Sequence, residues 1–381
     1  MSMSLTPRTL SCFARSTLLV VALGAIPVSA QAASWLPHSL SFPPGIVTEN
    51  LWGVSCATTT SCLAVGQDFN GSIGGAHAEI GFGAVWTPQS GVVRNPGPKN
   101  GVLFGASCPT VSTCVAAGQY GTSGGGQNAM AQEPASPAWT LQSPSAGGKN
   151  RFNAISCTAA AWCMAVGFQN TSSTLAMTAN GPGYATWTNA SAPAGSNLNG
   201  VSCLEKAGGG HWCMAVGRSG SAGLVEVYNA GTWTTLAAPF VPLTGYTING
   251  VSCRSTTWCA ITGDALGGGT HSAITQIWNG TSWTVDFPTK PPGTTESIGY
   301  GISCVSTTEC YAVGEAFAPG TMPFAAKSDS TTTWTTQATP LAPGAAGATL
   351  RGVSCPATNR CEAVGWSLFG GTPTGLVESY N

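Results

Sequence analysis

Gly53-Val-Ser-Cys-Ala-Thr-Thr-Thr-Ser-Cys-Leu-Ala-Val-Gly66 is the stretch that decides the fold, because its pattern recurs seven times along the chain. Its first pair, Cys56 and Cys62, returns as Cys108 and Cys114, Cys157 and Cys163, Cys203 and Cys213, Cys253 and Cys259, Cys304 and Cys310, and Cys355 and Cys361. Successive first cysteines stand 52, 49, 46, 50, 51 and 51 residues apart. A fixed period near fifty residues marks an array of one supersecondary unit.

Each unit reads as four strands. The first ends at Gly-Val-Ser-Cys, as in Leu51–Cys56 and Leu350–Cys355. A short polar turn leads to the second, Cys62–Gly66 or Cys310–Gly314. Both are short apolar runs between turn residues, as buried strands are. The third alternates, as in Leu224–Tyr228 and Ile274–Trp278, and ends at an asparagine turn such as Asn279-Gly280, a strong hairpin signal. The fourth opens on a Trp-Thr pair, at Trp86, Trp139, Trp187, Trp233, Trp283 and Trp334. A tryptophan repeated at one strand position is expected to pack between units.

The ends of the chain choose the architecture. The seventh unit stops at Leu376–Asn381, which matches the third strand Leu224–Asn229, so its fourth strand is missing. Ser34-Trp35-Leu36 is a fourth strand with no first three, followed by Pro43-Pro44-Gly45. The orphan strand is expected to complete the last unit and close a ring without free sheet edges. A linear β-solenoid needs no such split. The expected fold is therefore all-β, a seven-bladed β-propeller of four-stranded blades. Its blades fall at about 47–90, 101–143, 150–191, 196–238, 246–288, 297–339, and 348–381 plus 34–40.

Residues 1–32 read as a secretory signal: Arg8 and Arg15, then the apolar run Ser16–Pro27, then small-residue cleavage sites at Val28–Ala30 and Ala30–Ala32. A membrane anchor competes, but the run is too short to span comfortably. Its removal takes Cys12 away and leaves residues 33–381 with every cysteine in a motif pair. Seven local disulfides in a secreted or cell-envelope protein follow. Zinc at these pairs is disfavoured by the five-residue spacing and the lack of a repeated histidine. Only 7% of residues are charged and the net charge is -1, so nucleic acid is not an expected partner. We expect no cofactor, no metal, no membrane span after processing, and a monomer.

The repeat resembles propellers of the neuraminidase-repeat kind, especially the bacterial photosystem II stability/assembly-factor type. Ala64-Val65-Gly66, Ala165-Val166-Gly167, Ala215-Val216-Gly217 and Ala363-Val364-Gly365 carry the likeness, with Thr232-Trp233 and Thr333-Trp334. The resemblance covers nearly all of 33–381 and implies the propeller fold and a binding or assembly role, sometimes a glycosidase. The chain departs from it in lacking the full Asp box, where only Asp329 sits five before Trp334, and in adding the cysteine pairs.

Uniform positions are structural candidates. Ser55, Ser107, Ser156, Ser202, Ser252, Ser303 and Ser354 recur in every unit, whereas a nucleophile is needed once, beside a base. Variable positions are functional candidates. The residue after Val-Gly changes round the ring: Gln67, Gln119, Phe168, Arg218, Asp264, Glu315 and Trp366. They should lie on the face of the long Gly/Pro-rich connections, where binding loops sit on a rigid scaffold. Such a rim suits a glycan, a cell-envelope component or a protein. The enzymatic alternative is a glycan-active hydrolase or lyase using Asp264, Glu315 and Arg218, which needs carboxyls roughly 5–9.5 Å apart. Arg94, Arg151, Arg254 and Arg351 occupy scattered repeat positions, and His38, His77, His211 and His271 share no motif and are expected on the surface.

Overall fold

The computed structural model describes residues 34–381 except 42, 135–137, 146–147, 159–161, 171–172, 185, 193–194, 196, 240–244 and 329–332. The expected signal over 1–32, with Cys12, and the Asp-box position Asp329 lie outside the described residues.

Seven four-stranded antiparallel sheets follow one another. Blade 1 comprises Thr48–Thr58, Ser61–Phe69, Gly74–Phe82 and Val85–Pro88; blade 2, Gly101–Thr110, Thr113–Gly121, Gln127–Glu133 and Thr140–Ser145. Blade 3 comprises Arg151–Thr158, Trp162–Gln169, Ser173–Asn180 and Thr186–Asn189; blade 4, Asn197–Glu205, His211–Ser219, Ala222–Asn229 and Thr232–Leu236. Blade 5 comprises Gly245–Ser255, Trp258–Gly267, Thr270–Trp278 and Trp283–Asp286; blade 6, Glu296–Cys304, Cys310–Ala318, Gly320–Ser328 and Trp334–Gln337. Blade 7 takes Gly347–Ala357, Arg360–Phe369 and Thr372–Tyr380 from the end of the chain and Trp35–Ser39 from its start. Trp35 pairs with Tyr380 and Ser39 with Leu376. The expected closure is thus present, and the protein is a seven-bladed β-propeller.

The innermost strands of all seven blades line one axial cavity of about 190 Å³. Their small residues permit this crowding. A Cβ on Gly352 would stand 3.1 Å from the Cα of Gly53 in the next blade, across the point where the ring closes. The glycine of Val-Gly has a different reason. A Cβ on Gly314 or Gly365 would lie 1.8 Å from an inner-strand carbonyl oxygen, so no other residue fits.

Seven apolar clusters sit at the seven blade junctions, because each sheet buries both faces against its neighbours. The second strands, such as Cys62–Gly66, are buried throughout for this reason. The repeated tryptophans serve the same junctions unequally. Trp35, Trp139 and Trp334 are buried, whereas Trp86, Trp187, Trp233 and Trp283 are half-buried. The indoles of Trp233 and Trp283 donate to Ala190 O and Ala237 O of the preceding blade.

A disulfide closes the first hairpin of every blade, as the motif pairs predict. Cys56 bonds to Cys62, Cys108 to Cys114, Cys157 to Cys163 and Cys203 to Cys213. Cys253 bonds to Cys259, Cys304 to Cys310 and Cys355 to Cys361. The Cα separation is 3.9 Å at Cys56 and Cys62 and 4.1 Å at Cys203 and Cys213, where the turn is longer. The paired sulfurs exclude zinc at these cysteines and point to an oxidising compartment. No helix among the described residues is long and apolar enough to cross a membrane.

The seven repeated serines form a second ring. Each hydroxyl accepts the backbone N–H of the next blade's cysteine: Ser55 from Cys108 at 2.9 Å, Ser202 from Cys253 at 3.0 Å, and so on to Ser354 from Cys56 at 2.9 Å. Remaining junctions use Ser107, Ser156, Ser252 and Ser303 in the same way. Seven identical stitches explain why serine recurs, as a structural role requires. Ser202→Ala should lower stability by about 1 kcal/mol by stranding one N–H. A urea midpoint unchanged from wild type would refute that role.

Candidate functional site

The inner strand of every blade carries a bulge just before its small residue, between Leu51 and Gly53, Phe152 and Ala154, Leu350 and Gly352, and their equivalents. A bulge re-aims the extra side chain. The seven extra residues are Trp52, Phe104, Asn153, Asn199, Asn249, Tyr300 and Arg351, and six of them line the axial cavity. They lie at or just before the midpoint of the inner strand, on the side of the long connections.

The ring has two halves. In blades 3 to 5 the asparagines stitch blades together. Asn153 Nδ2 donates to Leu198 O at 2.7 Å and to Asn197 Oδ1 at 2.8 Å. Asn199 Nδ2 donates to Ile248 O at 3.0 Å, and Asn249 Nδ2 to Gly299 O at 2.8 Å. Blades 6, 7, 1 and 2 abandon the amide for aromatic rings and a guanidinium. Arg351 Cζ lies 3.8 Å from the Tyr300 ring centre, 4.9 Å from Trp366 and 5.2 Å from Trp52. Trp52 meets Trp366 at 5.1 Å and Phe104 at 5.6 Å. Arg151 continues the arc, 4.9 Å from Phe104 and 4.7 Å from Phe168. Cation–π contacts of this kind strengthen as water is excluded.

The arc keeps unspent donors. Trp52 Nε1, Arg151 Nε and Arg351 Nε are buried without a hydrogen-bond acceptor. Burial holds Arg151 below the ordinary arginine value, and an anion beside it would oppose that cost.

The structure distributes the variable Val-Gly positions among several roles. Phe168 and Trp366 join the arc. Glu315 sits behind it: Tyr300 Oη donates to Oε1, Thr349 Oγ1 donates to Oε2 at 2.8 Å, and Arg351 lies 4.0 Å away. Burial and the adjacent Glu315 push the Tyr300 phenol up, against the lowering effect of Arg351. Asp264 faces His271 Nδ1 at 2.7 Å. Both carboxylates are buried, while the His271 ring that meets Asp264 is partly exposed. Arg218 is exposed and makes no ion pair among the described residues. Gln67 and Gln119 line a neighbouring groove of about 510 Å³ with Val102 and Lys99.

Two readings change. One of the histidines is not a surface group: His77 is buried, while His38, His211 and His271 are half-buried, His211 stacking on Trp162 at 4.0 Å. The arginines at scattered repeat positions do not all stay apart, since Arg151 and Arg351 meet one aromatic arc. Sequence reasoning passed over the bulge residues. Their signal was a variable residue before an otherwise uniform Gly-Val-Ser.

No family model matches the sequence, and no curated protein matches it. Solved structures do. YCF48 bound to a D1 peptide aligns with TM-score 0.54 at 12% identity, covering 91% of this chain and 94% of that one. U3-55K aligns at 0.58 and 8%, covering 90% and 98%. A polysaccharide lyase of family PL25, an ulvan lyase, aligns at 0.55 and 10%, covering 88% and 94%. At these identities the likeness is one of fold alone.

Proposed function

We propose that this chain is an exported, non-catalytic propeller that binds an acidic carbohydrate of the cell envelope or its surroundings at the axial mouth. The observation that carries this reading is the broken symmetry of the bulge ring. Four consecutive blades carry Tyr300, Arg351, Trp52 and Phe104 where the other three carry asparagine, beside a nearly uniform Gly-Val-Ser-Cys motif. Aromatic faces stack on sugar rings, guanidinium groups pair with carboxylates, and the unspent donors call for acceptors. Seven disulfides and the signal-like first 32 residues support export. Propellers of similar fold include one captured with a peptide, so acidic peptides belong in the test as a control.

The rival reading is a glycan-active hydrolase or lyase using Asp264, Glu315 and Arg218. Its support is the similar fold of a polysaccharide lyase and a phenol, a carboxylate and a guanidinium side by side at Tyr300, Glu315 and Arg351. Against it, both Glu315 oxygens are occupied by neighbouring hydroxyls and Asp264 is held by His271.

Titration of immobilised acidic and neutral polysaccharides, with product analysis, separates the two. Binding is expected to favour the acidic polymers, weaken with salt, and fall at least tenfold in Trp52→Ala and Arg351→Ala. Variants that bind as wild type does, or preference for neutral polymers or acidic peptides, would remove the binding reading. Turnover lost in Glu315→Gln would establish the rival.

A further inference from the structure

Blade 1 breaks the repeat a second time, away from the mouth. Opposite the Val-Gly glycine on the third strand, six blades carry a large apolar residue: Met130, Leu175, Leu224, Ile274, Phe324 and Leu376. Blade 1 places His77 there, opposite Gly66. Two more departures accompany it. Glu49 and Asp68 form a facing pair whose counterparts in blades 2, 5, 6 and 7 are uncharged, for example Tyr246 and Ala265, or Ala348 and Ser367. Glu79 completes the group on the same sheet face. Glu49 is 0% exposed, Asp68 1%, Glu79 1% and His77 4%.

His77 Nε2 stands 2.9 Å from Glu79 Oε1 and 3.2 Å from Glu49 Oε1. On the other side its Nδ1 lies 3.3 Å from Asp68 Oδ2, which Arg94 also binds. The Glu49 side chain is fully buried, and apart from the His77 ring no group among the described residues stands ready to donate to its oxygens. The carboxylate sits in a cradle made by Gly375 of blade 7, where a Cβ would come within 2.8 Å of Oε1. A buried carboxylate with an imidazole nitrogen as its one polar neighbour calls for a cation.

We propose that Glu49, His77 and Glu79 form a site for one divalent first-row transition ion, with Asp68 orienting the imidazole. The three donor atoms lie within 4.8 Å of one another. Donors about 2.1 Å from a shared ion stand roughly 3.0–3.4 Å apart at octahedral to tetrahedral angles, close to the two imidazole–carboxylate separations here. Asp68 directs the ring proton to Nδ1 and leaves Nε2 free, the carboxylate–histidine–metal arrangement that sets the ligating tautomer. Arg94 neutralises Asp68. Glu49 and Glu79 then carry two negative charges against a neutral imidazole, which matches a dication. An imidazole with two carboxylates suits Zn²⁺ or Mn²⁺ rather than an all-oxygen Ca²⁺ site. A cavity of about 180 Å³, lined by His77, Asp68, Arg94, Pro43 and Gln89, leads to the group.

The test uses untagged protein, stripped with a chelator and titrated with ZnCl₂ or MnCl₂ by calorimetry, with thermal melts alongside. One ion per chain should bind and raise the melting temperature by several degrees. Asp68→Asn, which leaves all three ligands in place, should weaken binding 10- to 100-fold, and Glu49→Gln should abolish it. Absence of stoichiometric binding of either ion to the wild-type chain would overturn the site. So would binding that Glu49→Gln and Asp68→Asn leave unchanged.

Discussion

Replacing Trp35 by alanine should lower the stability of the propeller by about 3–5 kcal/mol, the range for emptying a well-packed core position of a large aromatic residue. Trp35 is 1% exposed although it stands near the start of the described chain. It packs against Tyr380 at 5.2 Å on its own sheet and edge-on to Tyr311 of blade 6 at 6.2 Å. One side chain therefore fastens the outer strand of blade 7 and seals the junction between blades 6 and 7. Removing the whole strand, residues 34–40, should do more. It would strip the ladder that pairs Trp35 with Tyr380 and Ser39 with Leu376, and leave Thr372–Tyr380 as an open edge prone to pairing with other chains. Chemical denaturation of the substituted and shortened chains, followed by circular dichroism, measures both effects. A shortened chain that unfolds at the wild-type midpoint and stays monomeric would show that closure contributes nothing.

The second large effect concerns pH. Glu378 lies on the third strand of blade 7, on the face that carries Leu376 and Tyr380, and is 0% exposed. Neither of its carboxylate oxygens has a donor. Burial pushes it up to about 8. Glu362 of the same blade is pushed up to about 7 by burial, although Gly83 N–H and Ser379 Oγ–H hold its charged form. The folded protein binds these protons more tightly than the unfolded chain does. Their contribution is complete below about 4.5, the ordinary glutamate value, and is lost as pH rises through about 7 and 8. Stability should thus fall between those limits with a slope approaching 1.4 kcal/mol per unit for each such group, about the free energy of one pKa unit. Glu378→Gln, permanently neutral, should flatten the upper part of that curve and raise the melting temperature at pH 8.5. A wild-type melting temperature constant from pH 5 to 8.5 would refute this account.

Local pattern carried much of the fold. The fifty-residue period, the cysteine pairs and the split last blade are properties of the chain read in one dimension. Each has a local cause: a six-residue disulfide loop, a hairpin turn, a strand that needs a partner. The serine ring was legible as structural because a sevenfold residue cannot be a single nucleophile. Its acceptor role could be named only when neighbouring blades were side by side.

The candidate site was only partly legible. Of the seven variable Val-Gly positions, Phe168 and Trp366 lie in the aromatic arc. The bulge residues escaped because a bulge is a mismatch between two paired strands, invisible in either strand alone. Trp52 and Arg351 are 299 positions apart in the sequence and 5.2 Å apart in space. His77 escaped for a similar reason. Its partners Glu49 and Asp68 come from the first two strands of the blade, and neither forms a spacing motif with it.

The sequence by itself determined that the chain repeats, how each repeat is cross-linked and that the ring must close through its own ends, because strand periodicity, turn chemistry and disulfide loops act over a few residues. Only the tertiary structure decided which side chains share the axis and which charges are sealed between blades 7 and 1. Those neighbours are set by how seven sheets pack around a point, a constraint that no stretch of fifty residues contains.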